Sequence, residues 1–252
     1  MKIIRSFLIL ITLVSSQSDA DRWFEALAEE YLDQFPVLSP VSATSLGDHR
    51  YDHLVNEVSA EARAEGVAFN RQFLAKLEAI PRSQLSRAYQ VDAALLENRL
   101  RSDIWWSEEL KEWSWNPLNY TGLAGGAIYS LMAREFSPVE ERLLRVSDRL
   151  EQYPRLYTQI RETLVPEKVP KIHAQTAVKQ NRGVQSILDN LVVPHVNKLK
   201  KRDRKRLNKA MAVVREENEK HQQSLENELL PQAAGEFRIG PELYDKKLSF
   251  TL

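Results

Sequence analysis

Two Asp-His pairs lie four residues apart in the stretch "SLGDHRYDH". They are Asp48-His49 and Asp52-His53, and they hold two of the five histidines in the chain. On a helix, His49 and His53 would share one face, and two imidazoles with one carboxylate make an acceptable set of zinc ligands. However, no glutamate stands between the histidines as a general base, and Gly47 just before them is typical of a turn. A turn is therefore favoured and a metal site is not. In that turn, Asp48 would cap backbone N–H groups.

The other histidines show no pattern that indicates catalysis. His221 falls on the apolar stripe of the last predicted helix, where a histidine is usually buried and hydrogen-bonded to a neighbour. His173 and His195 have no carboxylate close to them in the sequence and are predicted to be structural. No Ser-His-Asp arrangement has a recognisable local context. The sequence therefore predicts no catalytic residue, no metal ligands and no cofactor in this chain.

The composition excludes several classes of function. The 35 basic residues balance 35 acidic residues, so the whole chain carries no net charge that would steer it toward nucleic acid. The absence of cysteine excludes disulfides, thiolate zinc sites, a cysteine nucleophile and cysteine lipidation within this sequence. Only eight glycines are present, and none form a GxGxxG or GxxxxGK loop for phosphate groups. We therefore expect neither a nucleic-acid partner nor a nucleotide cofactor.

The first twenty residues have the pattern of a secretory signal peptide. Lys2 and Arg5 precede the apolar run "FLILITLV", and the small residues Ser18 and Ala20 suit cleavage after Ala20. An uncleaved anchor is the alternative, but the apolar run is well short of the ~20 residues that span a bilayer. The sequence therefore predicts a signal peptide over 1–20 and a periplasmic or secreted protein over 21–252. No transmembrane segment is expected after cleavage.

The apolar spacing of the remaining chain is helical almost throughout. Apolar residues recur every third or fourth position, as in Trp23, Leu27, Tyr31 and Phe35. The predicted fold is all-α, an irregular bundle of about seven or eight helices, with "FRIG" and "LSFTL" as short extended pieces near the C-terminus. The predicted helices cover about 21–35, 60–80, 85–104, 121–136, 137–150, 155–164, 171–191 and 200–230.

Prolines mark some of the predicted helix ends. Ser137, Pro138 and Glu140 form a capping box, with Ser137 as N-cap and Pro138 at the first helical position. Pro154 is expected to break or kink the helix that starts at this capping box, before the stretch "RLYTQIRETL". The last predicted helix has an apolar stripe formed by Leu207, Met211, Val214, Leu225 and Leu229.

Two segments have more than one interpretation. An aromatic cluster, in which Trp105, Trp106, Trp113 and Trp115 precede Tyr120, could line a ligand groove or anchor helix crossings in the core. The run "KLKKRDRKRLNK", residues 198–209, carries eight basic residues and one acid. Such a run can bind phosphates, but it contains no aromatic residue for base stacking. It is more typical of a solvated helix start, near membrane headgroups.

Four stretches, in order along the chain, together resemble the bacterial domain-of-unknown-function family 885. They are "FPVLSPVSATSLGDHRYDHL", "NPLNY", "FSPVEERLLRVSDRLEQYP" and "LLPQAAGEFRIGPELYDKKL". The resemblance covers the whole chain after the signal peptide. The residues that carry the family pattern are Gly47, His49, Tyr51, Asp52, Asn116, Pro117, Tyr120, Arg142 and Arg149.

The resemblance bears on the two Asp-His pairs. The family pattern "LGxHxYD" includes His49 and Asp52 but leaves the positions of Asp48 and His53 open. The two-histidine metal pair is therefore not a family feature. His49 and Asp52 are expected to form a structural hydrogen-bond pair, or alternatively one rim of a substrate cleft.

The resemblance also implies a functional class. Members of this family are helical, often exported and usually about twice this long, and their second half carries a His-Glu-x-x-Pro-Gly-His motif that suggests a zinc peptidase-like site. This chain contains no His-Glu dipeptide, since His221 is followed by Gln222. The resemblance implies a truncated, non-catalytic N-terminal half that shapes a cleft for a peptide substrate. Zinc is expected only with the C-terminal half. The alternative is a standalone helical binding module of the cell envelope.

Overall fold

The computed structural model describes residues 18–251, and no β-strand occurs within that range. The all-α prediction is therefore confirmed. Three single turns of π-helix follow α4, α9 and α10, at Trp106–Leu110, Leu188–Val192 and Leu225–Leu229. The α-helices are α1 (Asp19–Leu38), α2 (Pro40–Leu46), α3 (Ala60–Glu78), α4 (Arg87–Trp105), α5 (Pro117–Met132), α6 (Val139–Leu150), α7 (Tyr153–Thr163), α8 (Lys171–Asn181), α9 (Gly183–Ile187), α10 (Lys201–Ser224), α11 (Leu230–Gln232) and α12 (Pro241–Leu248).

The buried apolar residues form two separate clusters. The N-terminal core joins α1, α3 and α4 through residues such as Phe24, Phe73 and Leu100. The main core is formed by α2 together with the helices from α5 through α10. It includes Leu143 and Leu156, both fully buried. The two clusters share no member. We call the boundary between the two groups of helices, where α1 contacts α2, the seam.

The first helix buries a different residue from the one its spacing predicts. Phe24 is buried at 3% exposure, whereas Trp23 is 59% exposed. The helix still follows the predicted register further on, because Leu27 is buried and Tyr31 packs against Phe69 and Phe73. Trp23 begins the apolar series of α1 but is exposed, and it is the Phe24 ring that packs in the core, 5.3 Å from the ring of Tyr89.

The predicted capping box at Ser137 is also wrong. Helix α6 begins at Val139 with Pro138 at the N-cap, and no side chain caps it. The carbonyl of Ser137 instead accepts a hydrogen bond from Nε of Arg142, at 3.0 Å. The break at Pro154 is close to the prediction, because α6 ends at Leu150 and Pro154 lies in the first turn of α7.

The apolar stripe predicted for the helix over 200–230 is buried in the structure. Leu207, Met211 and Val214 of α10 are buried, as are Leu225 and Leu229 of the π-helical turn that continues it. More helical segments exist than the seven or eight predicted, because the predicted helix over 171–191 is interrupted after α8. Short segments such as α9 and α11 add to the number.

The C-terminal segment is mainly helical rather than extended. Residues 241–248 form α12, and the residues of "LSFTL" that the structure describes form its last residue and a turn. The nearest approach to extended pairing is an isolated bridge between Pro170 and Gly235. The tail then packs on α4, where the ring of Phe250 lies 5.6 Å from that of Trp105.

The predicted signal peptide falls almost wholly on residues 1–17, outside the described part of the chain. Ser18 and Ala20, which are described, belong to the start of α1. Ser18 Oγ caps the helix by accepting from the backbone N–H of Asp21 at 3.0 Å, and Ala20 is buried in the N-terminal core. No helix within residues 18–251 is both long and apolar enough to cross a membrane.

Candidate functional site

A cleft of about 400 Å³ lies along the seam between the two cores. Its walls come from α1, α3 and α4 on one side and from the start of α5 on the other. The π-helical turn after α4 and the segment that follows it also contribute lining residues. The side chains that matter below are those of Tyr31, Arg63, Asp103, Trp106, Trp113 and Tyr120.

The backbone at the end of α4 explains how two tryptophans reach the cleft. The chain makes a π-helical turn at Trp106–Leu110, and Lys111 then has a left-handed conformation with φ of 50°. A non-glycine residue in that region carries strain of order 1–3 kcal/mol, which the surrounding packing must hold. The reversal brings Trp113 back to the same cleft as Trp106. Both π-turns and such strained residues are frequent at functional sites.

Arg63 and Trp113 form a stacked wall of the cleft. The guanidinium of Arg63 lies 4.1 Å from the ring centroid of Trp113. Arg63 Nη1 donates to the carbonyl of Val58 and, at 3.2 Å, to the hydroxyl of Thr163, which fixes the side chain from behind. Burial lowers the pKa of Arg63 from its ordinary value. A fixed and partly desolvated guanidinium is a strong partner for a carboxylate or a peptide carbonyl.

Tyr120 lies beside this wall. Its hydroxyl donates to the backbone carbonyl of Trp113 at 2.6 Å, and burial raises the pKa of Tyr120. The hydroxyl therefore stays neutral and holds the tryptophan segment against α5. Tyr120 is the one family-pattern residue that lines the cleft.

Helix α4 adds a partly buried carboxylate, that of Asp103, to the lining of the cleft. Asp103 Oδ2 accepts a hydrogen bond from Nε of Arg99 at 2.8 Å, one helical turn away. Burial raises the pKa of Asp103 above its ordinary value, and the charge of Arg99 opposes that shift. Together with Arg63 of α3, Asp103 gives the site both charges beside several aromatic faces. Such a lining suits an amphipathic ligand that has polar groups of both signs.

A second polar cluster lies beneath the turn that follows α2. Gly47 ends α2 with φ of 95°, a left-handed conformation that glycine adopts without strain. The chain then turns so that Nδ1 of His49 and Oδ2 of Asp52 are 2.9 Å apart. The His49 ring stacks on Phe136 with centroids 3.7 Å apart. His49 and Asp52 thus form a hydrogen-bonded pair and do not line the cleft.

Arg149 of α6 connects this pair to the main core. Its side chain is fully buried, and Nη2 donates to the hydroxyl of Thr44 at 2.6 Å. That hydroxyl lies 2.6 Å from Oδ1 of Asp52, and the Arg149 guanidinium is 3.9 Å from the same oxygen. Nη1 donates to the carbonyl of Ala127 at 2.7 Å. Burial lowers the pKa of Arg149 to about 10, while the charge of Asp52 acts in the opposite direction.

A family profile described as bacterial protein of unknown function, DUF885, matches residues 40–252. The chain belongs to this family. A solved structure, described as "a putative lipoprotein of unknown function from Shewanella oneidensis", is similar to the chain with a TM-score of 0.83 and 26% sequence identity. The similarity covers 90% of this chain and 42% of that one, so the chain spans less than half the length of that protein. None of the curated proteins compared with the chain matches it.

The other DUF885-pattern residues lie at helix ends. Asn116 caps α5, since its side-chain oxygen accepts from the backbone N–H of Leu118, and Pro117 fills the first helical position. Arg142 is buried and donates to the carbonyls of Leu131 and Met132 at the end of α5. These contacts organise the two ends of the helix that carries Tyr120. Tyr51 is half-buried in the turn beside His49.

The two-histidine site considered from the sequence is not formed. Asp48, His49 and His53 lie in a turn rather than on a helix, and Asp48 pairs with the side chain of Arg50 at 2.8 Å. The backbone N–H that Asp48 accepts is that of Arg50, which is the local cap that the turn interpretation predicts. Within residues 18–251, no three His, Asp or Glu side chains come close enough together to hold a metal ion. The described residues thus offer no ligand set for the zinc that the resemblance implies for the C-terminal half of the family.

His221 is buried, as its position on the apolar stripe predicts, but its expected hydrogen bond is not formed. Within the described residues, Nδ1 of His221 has no hydrogen-bond partner, and its ring lies 4.9 Å from that of Tyr157. Burial, with the nearby charge of Arg161 as a smaller cause, lowers the pKa of His221 to about 4. His173 is half-buried against Trp115, and His195 is exposed.

The free energy of unfolding is expected to fall as the pH is lowered from 7 to 5, with His221 as the largest cause and His173, whose pKa burial also lowers, as a smaller one. The folded pKa of His221 is about 4 and its ordinary value is 6.5, so the unfolded chain binds the extra proton in this window. The loss is about 2 kcal/mol between pH 7 and pH 5. Urea unfolding at several pH values, with His221→Leu as the comparison, measures it. An equal pH dependence in both proteins would contradict this assignment.

Sequence reasoning missed Arg63, Asp103 and Thr44. Arg63 and Asp103 stand among many charged residues on α3 and α4, and no spacing distinguishes them from surface residues. Thr44 lies inside a stretch that resembles the family. Its position just before Gly47 was the only sequence signal that it belongs to the polar cluster around His49 and Asp52. The tryptophan cluster was recognised as a potential groove, and Trp106 and Trp113 do line the cleft.

Proposed function

We propose that this chain forms the substrate-binding wall of an exported DUF885 protein whose ligand is a peptide, and that it performs no catalysis alone. The observation that carries the proposal is the cleft on the seam, whose lining includes the stacked Arg63 and Trp113 together with the carboxylate of Asp103. Its volume lies within the range of about 300–1,000 Å³ that is common for ligand sites.

A peptide suits this lining for chemical reasons. An extended peptide presents carbonyl and N–H groups together with apolar and charged side chains. The Arg63 guanidinium can donate to peptide carbonyls or a terminal carboxylate, Asp103 can accept from amines, and the aromatic rings can cover apolar side chains. Family resemblance to zinc peptidase-like proteins supports the same ligand class, at the level of analogy.

The non-catalytic part of the proposal rests on the residues of the chain itself. The described residues do not bring together a set of side chains that fits a zinc ion. The His-Glu motif that the resemblance implies would have to come from the remainder of a longer protein. When bound there, zinc would polarise a carbonyl or activate a water, whereas the residues described here would bind and orient the ligand.

Calorimetric titration of the purified chain with a mixed set of short peptides tests the binding role. We expect Trp113→Leu to weaken peptide binding about tenfold or more, because truncating a central aromatic contact commonly costs about 2 kcal/mol. Trp23→Leu is the matched control, since Trp23 is exposed on α1 and does not line the cleft. Equal affinity of both variants, or no peptide binding by the unchanged chain, would contradict the proposal.

A standalone binding module of the cell envelope is the second candidate. The observation that favours it is that residues 18–251 form two hydrophobic cores and line a cleft between them. A monomer that melts in one cooperative transition would support this candidate. Aggregation at concentrations where most domains are monomeric would contradict it, because it would indicate apolar helix faces that need a covering partner.

A further inference from the structure

The start of α10 carries an exposed group of cations that the proposed cleft does not use. Residues 198–209 contain eight basic residues and one acid in a chain with no net charge. Seven of the eight are exposed. We call this the α10 basic face. Its members are Lys198, Lys200, Lys201, Arg202, Lys205, Arg206 and Lys209.

These cations lie on one side of the helix. Leu207, Ala210 and Met211 are buried against the main core. At 3.6 residues per turn, Lys201 and Lys205 project from the opposite side of α10, and Arg202 and Lys209 lie close to them. The α10 basic face is therefore a continuous patch directed to solvent, rather than a set of charges spread around the helix.

Among the described residues, the fold pairs one member of this patch, Arg206, with carboxylates. Arg206 contacts Asp148 and Glu151, and Arg145 also pairs with Asp148, so the charges of these four side chains balance one another. Within residues 18–251, no carboxylate lies within 4.0 Å of the charged group of Lys198, Lys201, Arg202, Lys205 or Lys209. Cations in the first turn of a helix also oppose its macrodipole. The charges therefore do not serve the stability of α10.

The segment just before the patch is apolar and exposed. A 3₁₀ helix at Val193–Lys198 leads into α10, and its first residues, Val193 and Pro194, are exposed, Val193 at 40%. An apolar tip beside a group of lysines is the arrangement that suits a bilayer interface, where the tip enters the headgroup region and the cations meet phosphates. The run holds no aromatic side chain on which bases could stack.

We propose that the α10 basic face, with Val193 at its edge, binds the surface of an anionic phospholipid membrane. Each lysine or arginine near such a surface contributes attraction that decays within about a Debye length, so binding weakens as salt is added. The face is separate from the cleft, whose lining residues include none of the basic run. A chain held in this way would present its cleft to ligands near the membrane.

Co-sedimentation with lipid vesicles tests the proposal on the full chain. The vesicles are phosphatidylcholine alone and phosphatidylcholine mixed with phosphatidylglycerol. The test variant is Lys201→Gln, Arg202→Gln, Lys205→Gln, and the matched control is Lys168→Gln, Lys171→Gln, Lys179→Gln. The control removes the same charge from exposed lysines of α8 and the turn before it, and α8 contacts the far end of α10 through Asn181 and Asn218. All three proteins keep residues 1–20, so any binding by that apolar run cancels.

The expected result is that the unchanged chain prefers phosphatidylglycerol vesicles and loses that preference in high salt. The test variant should bind them about a hundredfold more weakly, and the control by much less. Equal loss in the two variants would overturn the proposal, as would salt-independent binding by the unchanged chain. Displacement from vesicles by a single-stranded oligonucleotide at lower phosphate concentration than the lipid would also overturn it, in favour of nucleic acid.

Discussion

Replacing Arg149 by methionine is expected to lower the free energy of unfolding by about 3–5 kcal/mol. The Arg149 side chain is fully buried, and its Nη groups donate to Thr44 and to the carbonyl of Ala127. Methionine fills much of the volume but removes the guanidinium beside Asp52, which is 4% exposed and keeps its contacts with the Thr44 hydroxyl and the His49 ring. Removing one partner of a buried charge pair costs more than the pair itself contributes, because the other charge stays buried.

The matched control for this prediction is Arg145→Met. Arg145 lies one turn earlier on α6, is about half exposed and pairs with Asp148 at 3.2 Å. Exposed pairs of this kind contribute about 0–1 kcal/mol, so urea unfolding should separate the two variants clearly. Adding Asp52→Asn to Arg149→Met should recover part of the loss, because the partner charge is then also removed. Similar midpoints for Arg149→Met and Arg145→Met would contradict this account of the buried network.

Replacing Gly235 by alanine is expected to lower the free energy of unfolding by about 3 kcal/mol and to release the C-terminal segment from the turn before α8. A β-carbon at this position would overlap the carbonyl oxygen of Lys168, and this contact is with backbone rather than with a flexible side chain. The segment would have to move away, which would break the 3.0 Å hydrogen bond from the Gly235 N–H to the Val169 carbonyl.

Amide hydrogen exchange of residues 233–251 measures this release directly, and urea unfolding measures the total loss. The matched control is Gly122→Ala, since nothing lies within 4 Å of a β-carbon at Gly122 of α5. Removing a glycine from a helix interior there should stabilise the chain by about 0.5–1 kcal/mol. The two substitutions are the same in chemistry and are expected to be opposite in sign. Unchanged exchange in Gly235→Ala would show that the close approach is not required.

The helical periodicity was sufficient to predict the all-α fold and most helix positions. The apolar stripe of α10 is the clearest case, because five apolar residues at helical spacing are all buried. Periodicity could not decide between Trp23 and Phe24, since adjacent residues differ by only one step around the helix. Nor could it predict that Arg142, rather than Ser137, organises the start of α6, because the arginine also reaches carbonyls at the end of α5.

The candidate site was predictable only in part. The tryptophan cluster signalled either a groove or a core, and the outcome depended on the π-helical turn and the left-handed Lys111, which no local signal in the sequence indicated. His49 and Asp52 were expected as a pair, and the structure joins them at 2.9 Å. Their link to Arg149 spans about a hundred residues of chain, and such a contact depends on the packing of α2 against α5 and α6.

The central claim is that this chain binds peptide in the seam cleft without cleaving it. The most direct test uses one purified sample of the chain, saturated with a peptide whose binding calorimetry has established. Zinc is then added, and the bound metal and the amount of intact peptide are measured in the same sample. The account predicts intact peptide and no stoichiometric zinc. Peptide cleavage that rises in proportion to one zinc ion per chain would contradict it.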